Sequence, residues 1–424
     1  MDYLLLSNFY IQNDKESIEL KSLVLLKKHQ HIMLSPQQLR ELFLFRSDIT
    51  FLNFGSFGSC PKPIFEEYQS WQLKLEEDPV QFITVLGIHY LKEARESLAK
   101  YIHCQPEDLV FVTNPTFAVN AVAKSLNLQS GDEVLTTNIE YGASDKTWEF
   151  VCEETGANYV RQTIQLPIVS KEQIIEDFFA GLSDKTKLVF ISQITSATGL
   201  ILPVKEICEI AKSKGILTFI DGAHVPGQIP LNISELEVDF YTGACHKWMM
   251  APKGCSFLMA TKEVQKLLKP LVVSWGYKSM YPSDSLFLDQ FQMIGTRDFS
   301  AFLCIKKSIE FLYEYEWEKV REVCHRLLIE NAQRFCQLLG TQPLAPLTSE
   351  FFAQLFSIPI HTKEPEKLHR LLVDTYRIEI PLARDGENVY LRYSIQGFNT
   401  QEDLDILFTA LVDIINKTNL IEVL

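Results

Sequence analysis

The stretch ILTFIDGAHVPGQIPLNISELEVDFYTGACHKWMMAPKGCSFLMA, residues 216–260, decides the fold. It holds the short apolar runs ILTFID (216–221), DFYTG (239–243) and CSFLMA (255–260). These runs are apolar throughout rather than alternating with polar residues, so each needs cover on both faces, as strands of a parallel sheet layered between helices do. Working outward, LVFVT (109–113), EVLTT (133–137) and KLVFISQI (187–194) repeat the pattern. Helix-like stretches such as TFAVNAVAKSL, KEQIIEDFFAGL and VKEICEIAKSKG lie between them. This alternation predicts an α/β domain with a parallel sheet. After about residue 310 the pattern changes to a long helical run (317–340), strands FFAQLFSIPI and VYLRYSI, and the helix KLHRLLVDTY between them. That is the pattern of a smaller α+β domain, and the helix near 36–46 and the stretch IFEEYQSWQLKLEED (64–78) are expected to pack with it. The expected division is an extension over 1–34, an N-terminal segment over 35–84, a large domain over 85–310 and a small domain over 311–424. Ser35-Pro36 opens a helix well, as an N-cap with proline at the first helical position, so the natural start is expected either at residue 1 or at Met33.

The composition narrows the function. Of 424 residues, 46% are hydrophobic and 22% charged, enough for a large core without disulfide or metal staples. The net charge of −14 repels phosphate backbones, which argues against nucleic acid, so any anionic ligand must be held by local donors and dipoles. The nine cysteines, an odd number, form no CxxC pair and no zinc spacing, which suits free thiols in a reducing cytoplasm and no metal site. No run reaches the roughly 18 apolar residues of a membrane span, and MDYLLLSNFYIQND lacks the basic start of a signal peptide.

The candidate functional residues sit at the carboxyl ends of predicted strands, where open parallel sheets bind ligands. Asp221 ends an apolar strand, and a buried carboxylate there needs a partner. A protonated pyridine nitrogen would be one; a helix cap or a bound metal would be another. Lys247 follows the next strand, between His246 and Trp248, before a Gly/Pro loop. Partial desolvation would make it a Schiff-base former, though an ordinary loop lysine reads the same way. Asn114-Pro115-Thr116 joins a strand to a helix, leaving N–H groups and a hydroxyl as a phosphate site at the positive end of the helix dipole, or as a plain N-cap. There is no P-loop and no GxGxxG. Arg392, in a strand of the small domain, is a carboxylate fork or a structural salt bridge.

Together these residues resemble a family. From about 35 to 415 the chain resembles the class V aminotransferase group of fold-type I pyridoxal-phosphate enzymes, and within it the isopenicillin N epimerase-like branch. The resemblance rests on FLNFGSFGSCP (51–61), NPTFAVNAV (114–122), IEYGASDKTW (139–148), SQITSATGLILPV (192–204), FIDGAHVPGQIPL (219–231), YTGACHKWMMAPKG (241–254), MIGTRDFSAF (293–302) and LRYSIQGFNT (391–400), in that order. It implies a large domain with a mainly parallel seven-stranded sheet flanked by helices, plus a smaller α+β C-terminal domain. It implies pyridoxal 5'-phosphate as cofactor, anchored on Lys247, with Asp221 on the pyridine nitrogen. Tyr141 resembles the aromatic group that stacks on the cofactor face. Thr116, the backbone around Phe117, and His246 resemble the phosphate contacts. Thr296 resembles a threonine that reaches the phosphate of the neighbouring subunit, implying a homodimer. Ser196 and His224 fall where the group contacts the phenolic oxygen. Arg392 resembles the substrate carboxylate anchor, and Asn53 and Gly55 belong to the loop bordering the substrate. Two departures stand out: Gln193 where many relatives carry histidine, and Phe398 where they carry tyrosine. Cysteine desulfurases need a nucleophilic cysteine shortly before the anchoring arginine, and YRIEIPLARDGENVYLR (376–392) has none.

The expected chemistry is removal of an amino acid's Cα proton by Lys247, followed by epimerisation, by elimination as in a C–S lyase, or by transamination. A catalytically silent cofactor-binding protein is the rival class; the joint presence of Lys247, Asp221, Thr116 and Arg392 speaks against it.

Overall fold

Residues 34–280 and 282–423 are described by the computed structural model. The expectations for residues 1–33, including a start at Met33, lie outside the described residues. Ser35 caps helix α1 (Pro36–Glu41) as predicted: its hydroxyl accepts the Gln38 N–H and the Gln38 side chain accepts the Ser35 N–H. The helix ends at Glu41, short of residue 46. Strand β1 (Thr50–Phe51) and helices α2 (Lys62–Glu77) and α3 (Gly87–Ile102) follow. Then come β2 (Leu109–Val112), α4 (Pro115–Ala123), β3 (Glu133–Thr137), α5 (Gly142–Thr155), β4 (Asn158–Gln162) and α6 (Lys171–Phe179). After these lie β5 (Thr186–Ser192), α7 (Val204–Ser213), β6 (Leu217–Asp221), β7 (Phe240–Ala244) and β8 (Ser256–Ala260). The C-terminal part holds α8 (Ile305–Glu314), α9 (Trp317–Leu338), β9 (Leu355–Pro359), α10 (Pro365–Asp374), β10 (Ile378–Glu379), β11 (Leu382–Asp385), β12 (Asn388–Ser394) and α11 (Gln401–Lys417).

Seven strands form the large sheet in the order β2-β8-β7-β6-β5-β3-β4. Every pairing is parallel except the two that β8 makes, with β2 and with β7. Both faces are apolar, which is why the strands read as continuous hydrophobic runs. Leu188, Phe190, Phe219 and Phe240 face one side, under Ala118, Val119 and Val122 of α4 and Trp148 and Val151 of α5. Val189, Ile191, Ile220 and Tyr241 face the other, with Leu98 and Ile102 of α3 and Ile207 and Ala211 of α7. Strand β4 has no run in the sequence to announce it. It is an edge strand, its side chains half-buried or exposed, paired only with β3.

The second sheet, β11-β12-β9, is antiparallel. Phe335 of α9 packs on Tyr393, and Tyr393 on Phe356. The N-terminal segment is stitched to this part of the molecule. β1 pairs with β10, and Ser394 N–H donates to the Leu52 carbonyl. Phe43 packs against Phe398. Helix α2 does not join them: it lies along Ser300–Leu303 and α8. Among the described residues, no helix is long and apolar enough to cross a membrane.

Candidate active site

Parallel strands bring their carboxyl ends to one edge, and register sets the site there. Ser192, Asp221 and Thr242 lie side by side across β5, β6 and β7. Asp221 is 3% exposed, with Oδ1 accepting the Ala223 N–H at 2.9 Å and Oδ2 meeting Ser144 Oγ at 3.4 Å. Burial pushes its carboxyl above the usual range, against the Ala223 N–H, Lys247 and Ser144, which favour the carboxylate. The described structure gives Asp221 no ion pair, so a cationic N–H placed there would find a buried carboxylate waiting.

Lys247 sits on a stapled turn after β7: His246 N–H donates to the Cys255 carbonyl, Ala251 N–H to Cys245 and Met250 N–H to Lys247. Gly58, at φ +62°, lets the N-terminal loop press on this turn, because a Cβ there would stand 2.6 Å from the Lys247 carbonyl oxygen. Burial, with Arg392 adding repulsion and Asp221 opposing, brings the Lys247 ammonium down to about 8. Its Nζ is 3.1 Å from His224 Nε2. His224 is 2% exposed and held well below the usual imidazole range by burial and by Lys247, Arg392 and His246.

Arg392 is 6% exposed. Its Nη1 donates to the Ser196 carbonyl and hydroxyl, and its Nη2 to Ser56 Oγ at 2.8 Å. Burial lowers it to about 10, and Tyr141 pulls the other way. No described carboxylate pairs with it, so this buried guanidinium fits the carboxylate of a ligand. Ser196 thus holds Arg392 through both its carbonyl and its hydroxyl. Arg392→Gln is expected to raise KM for α-amino acids about 30- to 100-fold, from one lost charged fork. The same change should leave the matching amines, which lack the carboxylate, unaffected; equal losses for both in steady-state assays would contradict the assignment.

Asn114 caps α4, its Oδ1 accepting the Phe117 N–H at 2.8 Å, so that N–H is already engaged. Among the described residues the Thr116 hydroxyl has no partner and remains for an anion. Neutral His246 puts Nδ1 3.0 Å from the Cys255 carbonyl, which only accepts, so its Nε2 is bare. Burial, with the cationic Lys247, holds this imidazole down to about 4, so it must gain a proton to donate to a phosphate. Tyr141 stands at the N-cap of α5, 46% exposed and close enough to be felt by Arg392. The strand order puts Tyr141, after β3, and Lys247, after β7, on opposite sides of Asp221. Thr296 lies in an exposed loop. Asn53 Nδ2 donates to Glu379 Oε1 at 2.9 Å, and Gly55 N–H to Ser394 Oγ at 3.0 Å. Phe398 is a core ring against Phe43, Phe45 and Phe54, not a site group. Gln193 accepts from the Tyr241 hydroxyl at 2.7 Å.

Two residues were missed. Ser56 has only its place in FLNFGSFGSCP to suggest it. Glu140, 7% exposed, accepts from Thr137 Oγ1 at 2.7 Å and from Ser192 N–H and Oγ at 2.9 and 2.6 Å. Burial, with Asp221 and Asp145 adding repulsion, pushes it up to about 8 despite those donors. Its signal was a carboxylate next to Tyr141 at a strand end, the same signal that marked Asp221.

The Aminotransferase class-V family matches residues 81–407. The chain belongs to the class V aminotransferase family. Isopenicillin N epimerases of Amycolatopsis lactamdurans and Streptomyces clavuligerus are 33% and 34% identical to it, covering 86% and 88% of this chain and 95% and 97% of theirs. A probable chloroplastic L-cysteine desulfhydrase of Arabidopsis thaliana is 28% identical over 86% of this chain and 82% of its own. Among solved structures of the same fold, an apo cysteine desulfurase from Thermococcus onnurineus has a TM-score of 0.79 at 19% identity, covering 91% of this chain and 100% of its own. A cystine C-S lyase bound to its product cysteine persulfide has a TM-score of 0.73 at 21% identity, covering 87% and 98%. The fold expected from the resemblance is therefore the observed one.

Proposed function

We propose that this class V aminotransferase is a pyridoxal-phosphate enzyme that breaks the Cα–H bond of an amino acid and returns the proton to Cα, as an epimerase does. The supporting observation is a set of groups gathered at the large-sheet edge: a depressed Lys247 amine, a buried Asp221 carboxylate without an ion pair, and a buried Arg392 guanidinium without a carboxylate, brought there from the second sheet by its bonds to Ser196. When bound, the cofactor supplies the electron sink that makes the Cα proton acidic. Lys247 would anchor it, Asp221 would keep its ring nitrogen protonated, and Thr116 at the start of α4 would hold its phosphate. Arg392, steadied by Ser56 and Ser196, grips the substrate carboxylate and so fixes Cα. Lys247 Nζ takes the proton from one side of Cα; base help of this kind usually gives about 10²- to 10⁴-fold. Tyr141, which follows β3 on the far side of β6 from Lys247, is our candidate for the group that returns it on the other side.

Elimination is the second reading, favoured by the desulfhydrase relatives. It needs the same first proton transfer and a leaving thiol. Transamination is third. Incubation with L-amino acids in deuterated water separates them. Cα deuteration with inversion is expected; sulfide with pyruvate would assign a lyase, a keto acid a transaminase, and no exchange with any amino acid would end the proposal. Tyr141→Phe should abolish inversion while Cα deuteration with retention continues; inversion at the wild-type rate would remove Tyr141 from that role.

We further propose a homodimer in which Thr296 reaches the neighbouring phosphate, in the cytoplasm. The exposed apolar side chains of Val273, Trp275, Met280 and Leu286, 66–75% accessible, lie in the segment just before Thr296 and need cover. Sedimentation at twice the 48.7 kDa chain mass is expected.

A further inference from the structure

We infer that Trp248 is a positioning residue: its indole N–H fixes His224 as the Nε2-protonated tautomer, and that tautomer favours the neutral amine of Lys247 over its ammonium. The inference rests on the reading of Lys247 as the cofactor's anchor and adds what prepares it.

An indole nitrogen only donates, and Trp248 Nε1 lies 3.4 Å from His224 Nδ1 with its hydrogen directed there. The lone pair must therefore be on Nδ1. A neutral imidazole carries one N–H, which is then on Nε2. That nitrogen is 3.1 Å from Lys247 Nζ. An ammonium has donors only, so two N–H groups would face each other across this contact; a neutral amine offers its lone pair instead. The opposite tautomer would do the reverse, since a bare Nε2 accepts from an ammonium and stabilises the charged lysine. An imidazolium is excluded because His224 is buried among Lys247, Arg392 and His246. The charged groups facing Lys247 are Arg392, which disfavours the ammonium, and Asp221, which favours it. The tautomer decides between them.

Trp248 cannot readily turn away. It is fully buried and packs on Phe54 at 5.4 Å. Its backbone lies against Gly227, where a Cβ would come within 2.5 Å of the Trp248 carbonyl carbon. The residue after the lysine thus sets the lysine's protonation by way of a histidine from another strand end.

Two measurements on the apo-protein test this. With ¹⁵N-labelled histidine, and His224→Asn to assign its signals, the His224 ring at neutral pH is expected to show a bare Nδ1 and a protonated Nε2. A protonated Nδ1 overturns the inference, whether or not any variant folds. In Trp248→Phe, which keeps an aromatic ring against Phe54, the pH midpoint for capture of added pyridoxal phosphate should move up by about one unit, a tenfold loss of neutral amine below it. The capture is read as growth of the bound cofactor's absorption. An unmoved midpoint in a variant that melts like the wild type also overturns it. If borohydride instead fixes the cofactor to another lysine, the anchor reading fails, while the tautomer spectrum still reports separately on His224.

Discussion

Lys247→Ala is expected to lower turnover on the order of 10⁴-fold or more while leaving the fold intact. In the proposed mechanism one group does two things, hold the cofactor and move the Cα proton, so neither is left to the variant. In the wild type, added pyridoxal phosphate should give an absorption band at roughly 410–430 nm that borohydride fixes irreversibly. In the variant that band should be missing, and peptide mapping should find no modified residue at 247. The protein should nonetheless melt within a few degrees of wild type, because the deleted amine lies where burial disfavours its charge. A borohydride-fixed adduct that survives in Lys247→Ala would show that another lysine carries the cofactor.

Asp221→Asn has the second largest expected effect, and it should act in opposite directions on the apo and loaded protein. The amide is the same size and can still accept the Ala223 N–H and meet Ser144 Oγ, so packing is preserved. What disappears is a buried negative charge. Folding raises the Asp221 carboxyl above its usual value. Over the window between its unfolded value near 3.8 and that raised value, the folded state binds the extra proton, so stability falls as pH rises through it. At pH values above its unfolded value the acidic side chain is therefore a cost to the empty protein, and apo Asp221→Asn should melt above apo wild type at neutral pH. Loaded with cofactor, the order should reverse, because in the proposed site the carboxylate meets a cationic ring nitrogen and the amide does not. Turnover should fall about 10²- to 10³-fold, the usual loss when one preorganised electrostatic partner is removed. Differential scanning of both forms with and without pyridoxal phosphate checks the crossing. If cofactor stabilises both equally, Asp221 does not face the ring nitrogen.

The large sheet was legible because its strands are covered twice: Phe190 and Ile191 face opposite sides and are both apolar, so the run needs no long-range knowledge to be seen. Edge strand β4 was not, since a half-buried strand with Asn158 and Arg161 on it leaves no such run. Asp221 could be picked out because a charged residue ending an apolar strand is conspicuous by type, while Lys247, in the turn past β7, and Arg392, inside β12, stood out by the motifs around them. The role of Ser56 was hidden because serine is common, and only contact makes it functional. Glu140 is held by Ser192, from a different strand end, and Ser56 by Arg392 from the far end of the chain. Helix α2 was expected on the small domain because its apolar residues name no partner; α8 and Ser300–Leu303 provide one.

The pairing of β1 with β10 has a consequence for biosynthesis. Thr50 and Phe51 leave the ribosome early, but their partners Ile378 and Glu379 follow only when most of the chain has been made. The large sheet, Lys247 and Asp221 included, is complete by residue 260. Translation at about 5–20 residues per second leaves a nascent chain able to assemble the cofactor edge for several seconds before Arg392 and the strand that seats Ser56 beside it exist. During that interval the sheet edge carrying Lys247 and Asp221 stands without Arg392, so on the proposed roles the residues for the cofactor precede the one that grips the substrate.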